Sequence, residues 1–285
     1  MVALDHLEFM VWSKYIRDLT GIQIEPSKTY LIESRLGVLL TEYGCRTYAD
    51  LYRKAKADAS RSIEKRIIDQ ITTHETSFFR DAAPFEMLKH KILPELIDRR
   101  TVRSGGKQPF VIRIWSAGCS TGQEVYSIAI AVRDVVSDAA RCRIQITGTD
   151  ISADALTRAS RGVYSELEIQ RGLTVKQVDH YFVRLGDKWK IKDEIRAMAS
   201  FRKMSLLEPL GGMGTFDVIF CRNVAIYFNP EDRRQLFHRI AQVLEPDGYL
   251  IVGSTESLTG VCSRFQASRH LRSVFYQLVG PSGHG

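Results

Sequence analysis

Short apolar segments that alternate with helical stretches after residue 80 constrain the fold more than any other feature of this sequence. The segments are "PFVIRIWSAG", "RIQITGTDIS", "FDVIFCRN" and "GYLIVGSTES". Amphipathic stretches such as "RRQLFHRIAQVLEP" lie between them. This alternation is typical of βαβ units, in which buried strands form a parallel sheet. The sequence therefore predicts a doubly wound α/β domain.

The first part of the chain has a helical pattern instead. Between Ile32 and Leu40, apolar residues recur at the i, i+4, i+7 and i+8 positions of one helix face. Thr47 is a candidate N-cap for a further helix in "TYADLYRKAKA". We therefore predict a small helical domain over residues 1–75 and the α/β domain over residues 76–285.

One stretch inside the α/β domain does not fit another crossover helix. In "HYFVRLGDKWKIKDEI", two strand-like runs flank Gly186 and Asp187. A glycine and an aspartate between two such runs are typical of a β-hairpin. We predict a small antiparallel β-subdomain inserted at about residues 163–200.

The composition limits which chemistry and which compartment we expect. The five cysteines lack CxxC spacing, so the sequence predicts neither a metal site nor a disulfide framework. No apolar run approaches the ~18 to 20 residues of a membrane-spanning helix. The start "MVALDHLEFMVW" lacks the basic region of a signal peptide. We expect a cytoplasmic protein without direct membrane insertion.

Positive charge is concentrated in one helical stretch of a chain whose formal net charge is +7. Residues 46–66 contain three acidic side chains and seven basic ones, which are Arg46, Arg53, Lys54, Lys56, Arg61, Lys65 and Arg66. Such a stretch is either a solvated helix face or a dock for an acidic partner. The sequence leaves both interpretations open.

The first apolar segment ends in "AGCSTG", a small polar turn that opens a helix. At the switch point of an open parallel sheet, such a turn holds a ligand. Gly118 and Gly122 permit close approach of the backbone to that ligand. The turn lacks the GK[ST] ending of a phosphate loop and is not a GxGxxG, which disfavours ATP, GTP and dinucleotides.

Asp150 ends the second apolar segment, where a carboxylate accepts hydrogen bonds from ribose hydroxyls. An adenosine ligand without phosphates fits these features, and S-adenosylmethionine is such a ligand. Glu124, in the helix after the turn, is a candidate for a charge-assisted contact with its cationic end. The alternative role of Asp150 is to cap the helix in "SADALTRAS", for which Ser152 is also suited.

Further motifs give the sequence a family resemblance over nearly its whole length. They are "GIQIEPSKTYLIESRLGVLL", "ETSFFRD", "WSAGCSTGQEVYSIA", "GTDIS", "RGVYS", "FDVIFCRNVAIYF" and "EPDGYLIVGSTES". With these motifs the chain resembles the chemotaxis receptor glutamate methyltransferases, the CheR family. The resemblance implies methyl transfer from S-adenosylmethionine to glutamate side chains of chemoreceptors, with S-adenosylhomocysteine as the second product. It also implies a cytoplasmic helical receptor domain as the partner, and we expect a monomer.

The resemblance assigns roles to particular residues. It places Arg80 at the carboxylate end of the methyl donor and beside the reaction centre, and Tyr227 near the transferred methyl. The other donor-binding residues that it implies are His74, Thr76, Glu124, Asp150, Ser205, Leu206, Asn223 and Val224. It also makes the basic residues of 46–66 candidates for receptor docking.

Departures from the family pattern keep other interpretations open. Family members often have asparagine in place of His74 and Ser205, and proline in place of Val125. Because of these changes, a module that binds S-adenosylmethionine without turnover remains an alternative interpretation. A nucleic-acid methyltransferase is disfavoured, because "RNVAIYFNP" stands where DNA amino-methylating enzymes have [DNS]PP[YFW], and no aromatic-basic strip is present.

Overall fold

The N-terminal part of the protein is a bundle of helices. The computed structural model describes residues 3–106, 108–136, 141–270 and 272–280. The bundle consists of α1 (His6–Thr20), a 3₁₀ turn (Pro26–Lys28), α2 (Thr29–Glu42), α3 (Tyr48–Ala57) and α4 (Ser62–Ile71). Its core contains the apolar face of α2 that the sequence predicts and Trp12, whose indole N–H donates to the Tyr48 carbonyl at 3.2 Å.

The α3 helix begins as the sequence predicts. The Thr47 hydroxyl accepts from the Asp50 N–H, and the Asp50 carboxylate accepts from the Thr47 N–H. This reciprocal capping box satisfies two N–H groups that a helix start leaves unpaired. Gly44, after the end of α2, has a φ of +62° and turns the chain towards α3.

The rest of the chain forms an α/β domain with a small second sheet. The strands are β1 (Phe110–Ala117), β2 (Cys142–Asp150), β3 (Val163–Ser165), β4 (Phe182–Leu185), β5 (Lys188–Ile191), β6 (Ala199–Lys203), β7 (Phe216–Cys221), β8 (Leu244–Val252), β9 (Phe265–His270) and β10 (Ser273–Leu278). The helices are α5 (Ala83–Met87), α6 (Leu93–Arg103), α7 (Gln123–Arg133), α8 (Ala153–Arg161), α9 (Glu166–Gln170), α10 (Val175–Tyr181), α11 (Asp193–Arg196) and α12 (Pro230–Val243). A π-helical turn (Leu88–Ile92) joins α5 to α6.

The main sheet has seven strands in the order β6-β2-β1-β7-β8-β10-β9. The β6, β2, β1, β7 and β8 strands run parallel, which confirms the predicted doubly wound domain. The β10 strand is antiparallel to both β8 and β9, so the sheet is mixed at one edge. The sequence analysis did not predict this edge hairpin. The strand order reverses between β1 and β7, and the carboxyl ends of β1, β2 and β7 meet beside that switch point.

The inserted β-subdomain is present as a second sheet of three antiparallel strands, ordered β3-β5-β4. Leu185 pairs with Lys188 across the turn that contains Gly186, which confirms the predicted hairpin. The α9 and α10 helices connect β3 to β4. The chain returns to the main sheet at β6.

The helical bundle packs against the α/β domain beside the switch point. The Ser152 hydroxyl donates to the Asp69 carboxylate at 2.7 Å, and the Gln23 N–H donates to the Tyr227 carbonyl at 2.9 Å. Thr20 and Ile22 of the bundle line a cleft together with residues of the sheet edge. Among the described residues, no helix combines the length and apolarity needed to cross a membrane.

The loop between α9 and α10 closes tightly on the segment that precedes α5. Gly172 in this loop has a φ of +121°, and a Cβ atom there would lie 1.9 Å from the Phe78 carbonyl oxygen. Only glycine adopts this conformation without strain, and the approach leaves no space for a side chain. The loop therefore requires glycine for two independent reasons.

We expect Gly172→Ala to lower the free energy of unfolding by about 3 kcal/mol, because backbone strain and overpacking add. The matched control is Gly186→Ala, where φ is +61° and an added Cβ meets no described atom within 4 Å. That control should cost about 1 kcal/mol, the strain contribution alone. Urea unfolding of both variants measures the difference, and equal losses would contradict the close approach at Gly172.

Candidate active site

Two adjoining clefts open at the carboxyl ends of β1, β2 and β7, where the sequence analysis expects a ligand. The first cleft reaches towards the helical bundle, and the second reaches towards α5. Their shared wall consists of Thr73, Gly118, Ser120, Asn223 and Tyr227. This arrangement offers one elongated site with two chemically different ends.

The glycine turn after β1 forms the floor of both clefts. The N–H groups of Gly118 and Cys119 donate to the Thr149 carbonyl at 2.8 and 2.9 Å, which ties the turn to the end of β2. Gly118 has a φ of +72°, and an added Cβ would lie 2.9 Å from the Val224 side chain. Gly122 has a φ of +94°. Both glycines are therefore required by conformation, as the sequence analysis expects.

Asp150 is almost fully buried at the end of β2 and lines the first cleft. Its Oδ2 atom accepts from the Ser120 N–H at 2.8 Å, and its Oδ1 atom accepts from the Ser152 N–H at 2.9 Å. The hydroxyl of Ser152 caps α8 by accepting from the Ala155 N–H, so the helix cap comes from Ser152. Each Asp150 oxygen can accept one more hydrogen bond, so the carboxylate can bind the two hydroxyls of a ribose.

The first cleft is largely apolar around this carboxylate. Ile22, Met204, Leu206, Val224 and Phe228 line it. Apolar walls beside a single carboxylate fit an adenosine group, whose base is flat and whose ribose is polar. Ser205 lies between two wall residues, but its hydroxyl accepts from the Leu207 N–H.

The second cleft is polar and contains Arg80 and Glu124. The Glu124 Oε1 atom accepts from the Ser116 hydroxyl at 2.8 Å, and Oε2 accepts from Arg222 at 2.9 Å. A carboxylate and a guanidinium in one cleft fit a zwitterionic ligand group. The charged side chains of the two clefts together therefore fit S-adenosylmethionine, with Asp150 at one end and Arg80 and Glu124 at the other.

Arg222 is the buried centre of this second cleft. Its guanidinium forms salt bridges of 2.9 Å to Glu124 and 3.0 Å to Asp81, and it donates to the Arg80 carbonyl at 2.8 Å. Its side chain is 1% exposed. The sequence analysis assigns Arg222 no role. An arginine directly after a buried strand is the signal that could have identified it.

Several residues around the clefts have left-handed backbones without being glycine. Phe79, Asp81, Ser120 and Asn223 have φ values of +47°, +55°, +50° and +56°. Such conformations cost about 1–3 kcal/mol each and persist only where surrounding contacts impose them. At Asn223 the contact is Glu256, whose buried carboxylate accepts from the Asn223 N–H at 2.7 Å and the Gly253 N–H at 2.8 Å. Sequence reasoning missed Glu256.

The segment after α4 supplies the remaining predicted site residues. His74 lines the first cleft, with Nε2 3.0 Å from the Thr72 hydroxyl and Nδ1 3.4 Å from the Ser120 hydroxyl. Thr76 lines the second cleft with Arg80, whose Nη1 atom donates to the Glu75 carbonyl at 2.9 Å.

Tyr227 stands at the mouth of both clefts and is 37% exposed. It belongs to a 3₁₀ turn (Ala225–Tyr227) that follows β7. Its position beside the shared wall leaves its side chain accessible to a second substrate. Tyr227 and Arg80 thus line the same cleft.

Cys119 also lines the second cleft but is buried. Burial, together with the charges of Asp150 and Glu124, raises the pKa of the Cys119 thiol well above its usual value. The thiol therefore stays protonated at neutral pH and is a poor nucleophile. In the part of the chain that the structure describes, no cluster of three or more His, Cys, Asp or Glu side chains is arranged to hold a metal ion.

The basic residues of 46–66 lie on the helical bundle, away from the clefts. Arg53 pairs with Asp50 at 2.6 Å, Arg61 pairs with Glu64 at 2.7 Å, and Arg66 pairs with Glu42 at 2.9 Å. The Lys54 ammonium donates to the Tyr43 carbonyl, and the Lys56 ammonium lies 5.3 Å from the Tyr15 ring centroid. Arg46 and Lys65 are exposed and make no ion pair with any described residue.

Comparison with known proteins identifies the family. Residues 74–273 match the family described as "CheR methyltransferase, SAM binding domain", and residues 7–72 match "CheR methyltransferase, all-alpha domain". The chain is 37% identical to a chemotaxis protein methyltransferase of Vibrio parahaemolyticus, over 97% of this chain and 98% of that protein. It is 35% identical to chemotaxis protein methyltransferase 1 of Pseudomonas aeruginosa, over 95% and 97% of the two chains.

A third relative matches as well. The chemotaxis protein methyltransferase of Borreliella burgdorferi is 33% identical, over 91% of this chain and 90% of that protein. These matches extend through the helical bundle and the α/β domain and confirm the predicted S-adenosylmethionine cofactor. The chain therefore belongs to the CheR methyltransferase family.

Proposed function

We propose that this protein methylates glutamate side chains of chemoreceptors, giving glutamyl methyl esters in chemosensory adaptation. The observation that carries the proposal is the second cleft. It combines Arg80 and the accessible Tyr227 hydroxyl beside the residues that fit the methyl donor. The names of the relatives, which are chemotaxis methyltransferases, support the same pathway.

The chemistry suits a carboxylate acceptor. A glutamate has a reference pKa of about 4.3, so it is already ionised near neutral pH and needs no general base. S-adenosylmethionine supplies a methyl group activated by a positively charged sulfur. The protein's task is then to align the carboxylate with that methyl and to exclude water.

Particular residues serve these tasks. We infer that Asp150 holds the ribose, Glu124 the ammonium and Arg80 the carboxylate of the donor. Arg80 and Tyr227 also orient the acceptor carboxylate by donating hydrogen bonds to it. The remaining donor contacts that we propose come from His74, Thr76, Ser205, Leu206, Asn223 and Val224.

We further propose that the basic residues of 46–66 dock the acidic helices of a cytoplasmic receptor domain. Arg46 and Lys65 have no carboxylate partner among the described residues, so their charges remain available. Because both are exposed, an acceptor helix gains their attraction without first breaking an ion pair. The protein then acts at the cytoplasmic face of the membrane, without inserting into it.

The product should be an ester. When labelled S-adenosylmethionine is incubated with receptor-containing membranes, we expect mild alkali to release the label as volatile methanol. A carboxyl ester hydrolyses under these conditions, whereas N-methyl and S-methyl groups do not. Alkali-stable label would exclude a glutamate acceptor. Absence of label across a panel of receptors would favour a binding module without turnover.

Substitutions of Arg80 and Tyr227 in the second cleft should lower turnover to different extents. We expect Arg80→Ala to lower kcat/KM on the order of 100-fold or more, because charge stabilisation at the reaction centre is lost. Tyr227→Phe removes one hydrogen bond to a charged group and should lower kcat about tenfold. Arg234→Ala is the control, because Arg234 is exposed on α12 and pairs with Glu231. Wild-type kinetics in both cleft variants would refute the assignment.

Charge reversal on the helical bundle should weaken receptor binding. For the double variant Arg46→Glu and Lys65→Glu, we expect KM for receptor membranes to rise roughly tenfold at low salt, with kcat retained. The control is Arg264→Glu with Lys176→Glu, which changes the net charge equally at other exposed positions. Raising the salt should reduce the difference between the two variants. Equal KM values for them at every salt concentration would remove the docking proposal.

A further inference from the structure

Tyr164 in β3 is a buried residue of the inserted β-subdomain. It contacts two loops of the site, which are the glycine turn and the segment that carries Arg80. It is 1% exposed, although the β-subdomain lies at the periphery of the α/β domain. It belongs to the "RGVYS" motif, to which neither the sequence analysis nor the proposed function gives a role. Tyr164 makes a hydrogen bond to one loop and a ring contact with the other.

The first contact is a hydrogen bond to the glycine turn. The Tyr164 hydroxyl donates to the Thr121 carbonyl at 2.9 Å, and both groups are buried. The Thr121 carbonyl lies outside the hydrogen bonding of α7, because the helix begins with the Gly122 carbonyl accepting from the Tyr126 N–H. Burial raises the pKa of Tyr164 well above its usual value, so the hydroxyl remains a donor.

The second contact is aromatic. The Tyr164 ring packs edge-to-face against Phe78 with 4.9 Å between ring centroids. Phe78 lies two residues before Arg80 and also packs against Phe182, the first residue of β4, at 5.5 Å. The side of the Arg80 segment that faces the β-subdomain is therefore held by aromatic rings.

We propose that Tyr164 is a positioning residue for cofactor binding, acting through its hydroxyl on the Thr121 carbonyl. That bond fixes the peptide unit between Thr121 and Gly122. This unit sets the left-handed conformation of Gly122 and the direction of the first N–H groups of α7, beside the cofactor-binding Glu124. Without the donor, the buried carbonyl loses its partner and the turn adopts a geometry that suits the ligand less well.

The α9 helix of the same insertion supports the turn in a second way. The Gln123 side-chain amide donates to the Glu168 carboxylate at 3.3 Å, and the Thr121 hydroxyl donates to the Gln123 side-chain carbonyl at 2.7 Å. Of these contacts from the insertion, the Tyr164 bond acts on the backbone of the turn, and the Glu168 contact acts on a side chain. The inserted β-subdomain thus supports the glycine turn through both its backbone and its side chains.

Calorimetric titration of the purified full-length chain with S-adenosylhomocysteine tests this proposal. We expect Tyr164→Phe, which keeps the ring and its packing on Phe78, to weaken binding about three- to tenfold. In turnover assays, KM for S-adenosylmethionine should rise by a similar factor while kcat changes less than about twofold. This split separates a positioning role from a loss of folded protein.

The matched control is Tyr126→Phe. Tyr126 is equally buried, and its ring lies 6.3 Å from that of Tyr164. Its hydroxyl donates at 2.7 Å to the Ala159 carbonyl in α8 and not to the backbone of the glycine turn. Thermal unfolding of both variants measures the general cost of a lost buried hydroxyl, and Tyr126→Phe should keep wild-type affinity.

Two results would overturn the proposal. One is wild-type affinity in Tyr164→Phe, and the other is an equal loss in both tyrosine variants, which would indicate general loosening of the domain. The proposal rests on the proposed function only for the turnover data. The binding titration needs no acceptor protein, so a wrong acceptor class would leave its outcome unchanged.

Discussion

The ion pair between Arg222 and Glu124 is the interaction on which the rest of the site depends. Arg222 follows β7, Glu124 lies in the first turn of α7, and Asp81 precedes α5, so one guanidinium joins three segments far apart in sequence. A buried charge is stable only when its partners are complete, and loss of one partner costs about 3–5 kcal/mol. This requirement fixes the distance between the start of α7, which follows the glycine turn, and the segment that carries Arg80.

The same principle explains how loops at this site keep strained conformations. Asp150 holds the Ser120 N–H, and Glu256 holds the N–H groups of Asn223 and Gly253. In each case a buried carboxylate accepts from the N–H group of a residue with a left-handed backbone, which is Ser120 or Asn223. The strain at Ser120 and Asn223 is thus offset by charge-assisted hydrogen bonds, which are stronger inside the protein than in water.

The sequence allowed prediction of what depends on local pattern. Strand and helix alternation predicted the doubly wound sheet, and the position of Asp150 at a strand end predicted its place on the ligand cleft. The pairing of Arg222 with Asp81 and the role of Glu256 depend on residues brought together only by the fold. The β9–β10 hairpin was missed because its strands are half exposed at a sheet edge, where the apolar runs used to predict strands are interrupted.

A continuous stretch of chain connects the helical bundle to the reaction centre. The α4 helix carries Lys65 and ends at Ile71, and residues 72–77 and Arg80 then line the two clefts. Arg35 of α2 fixes this junction by donating to the Ile71 carbonyl and, at 2.9 Å, to the Thr73 hydroxyl. Because the junction is braced from the bundle, the acceptor helix that we propose to dock on α4 would be held at a defined distance from Arg80. In this proposal, docking and alignment of the acceptor therefore depend on one connected segment of the chain.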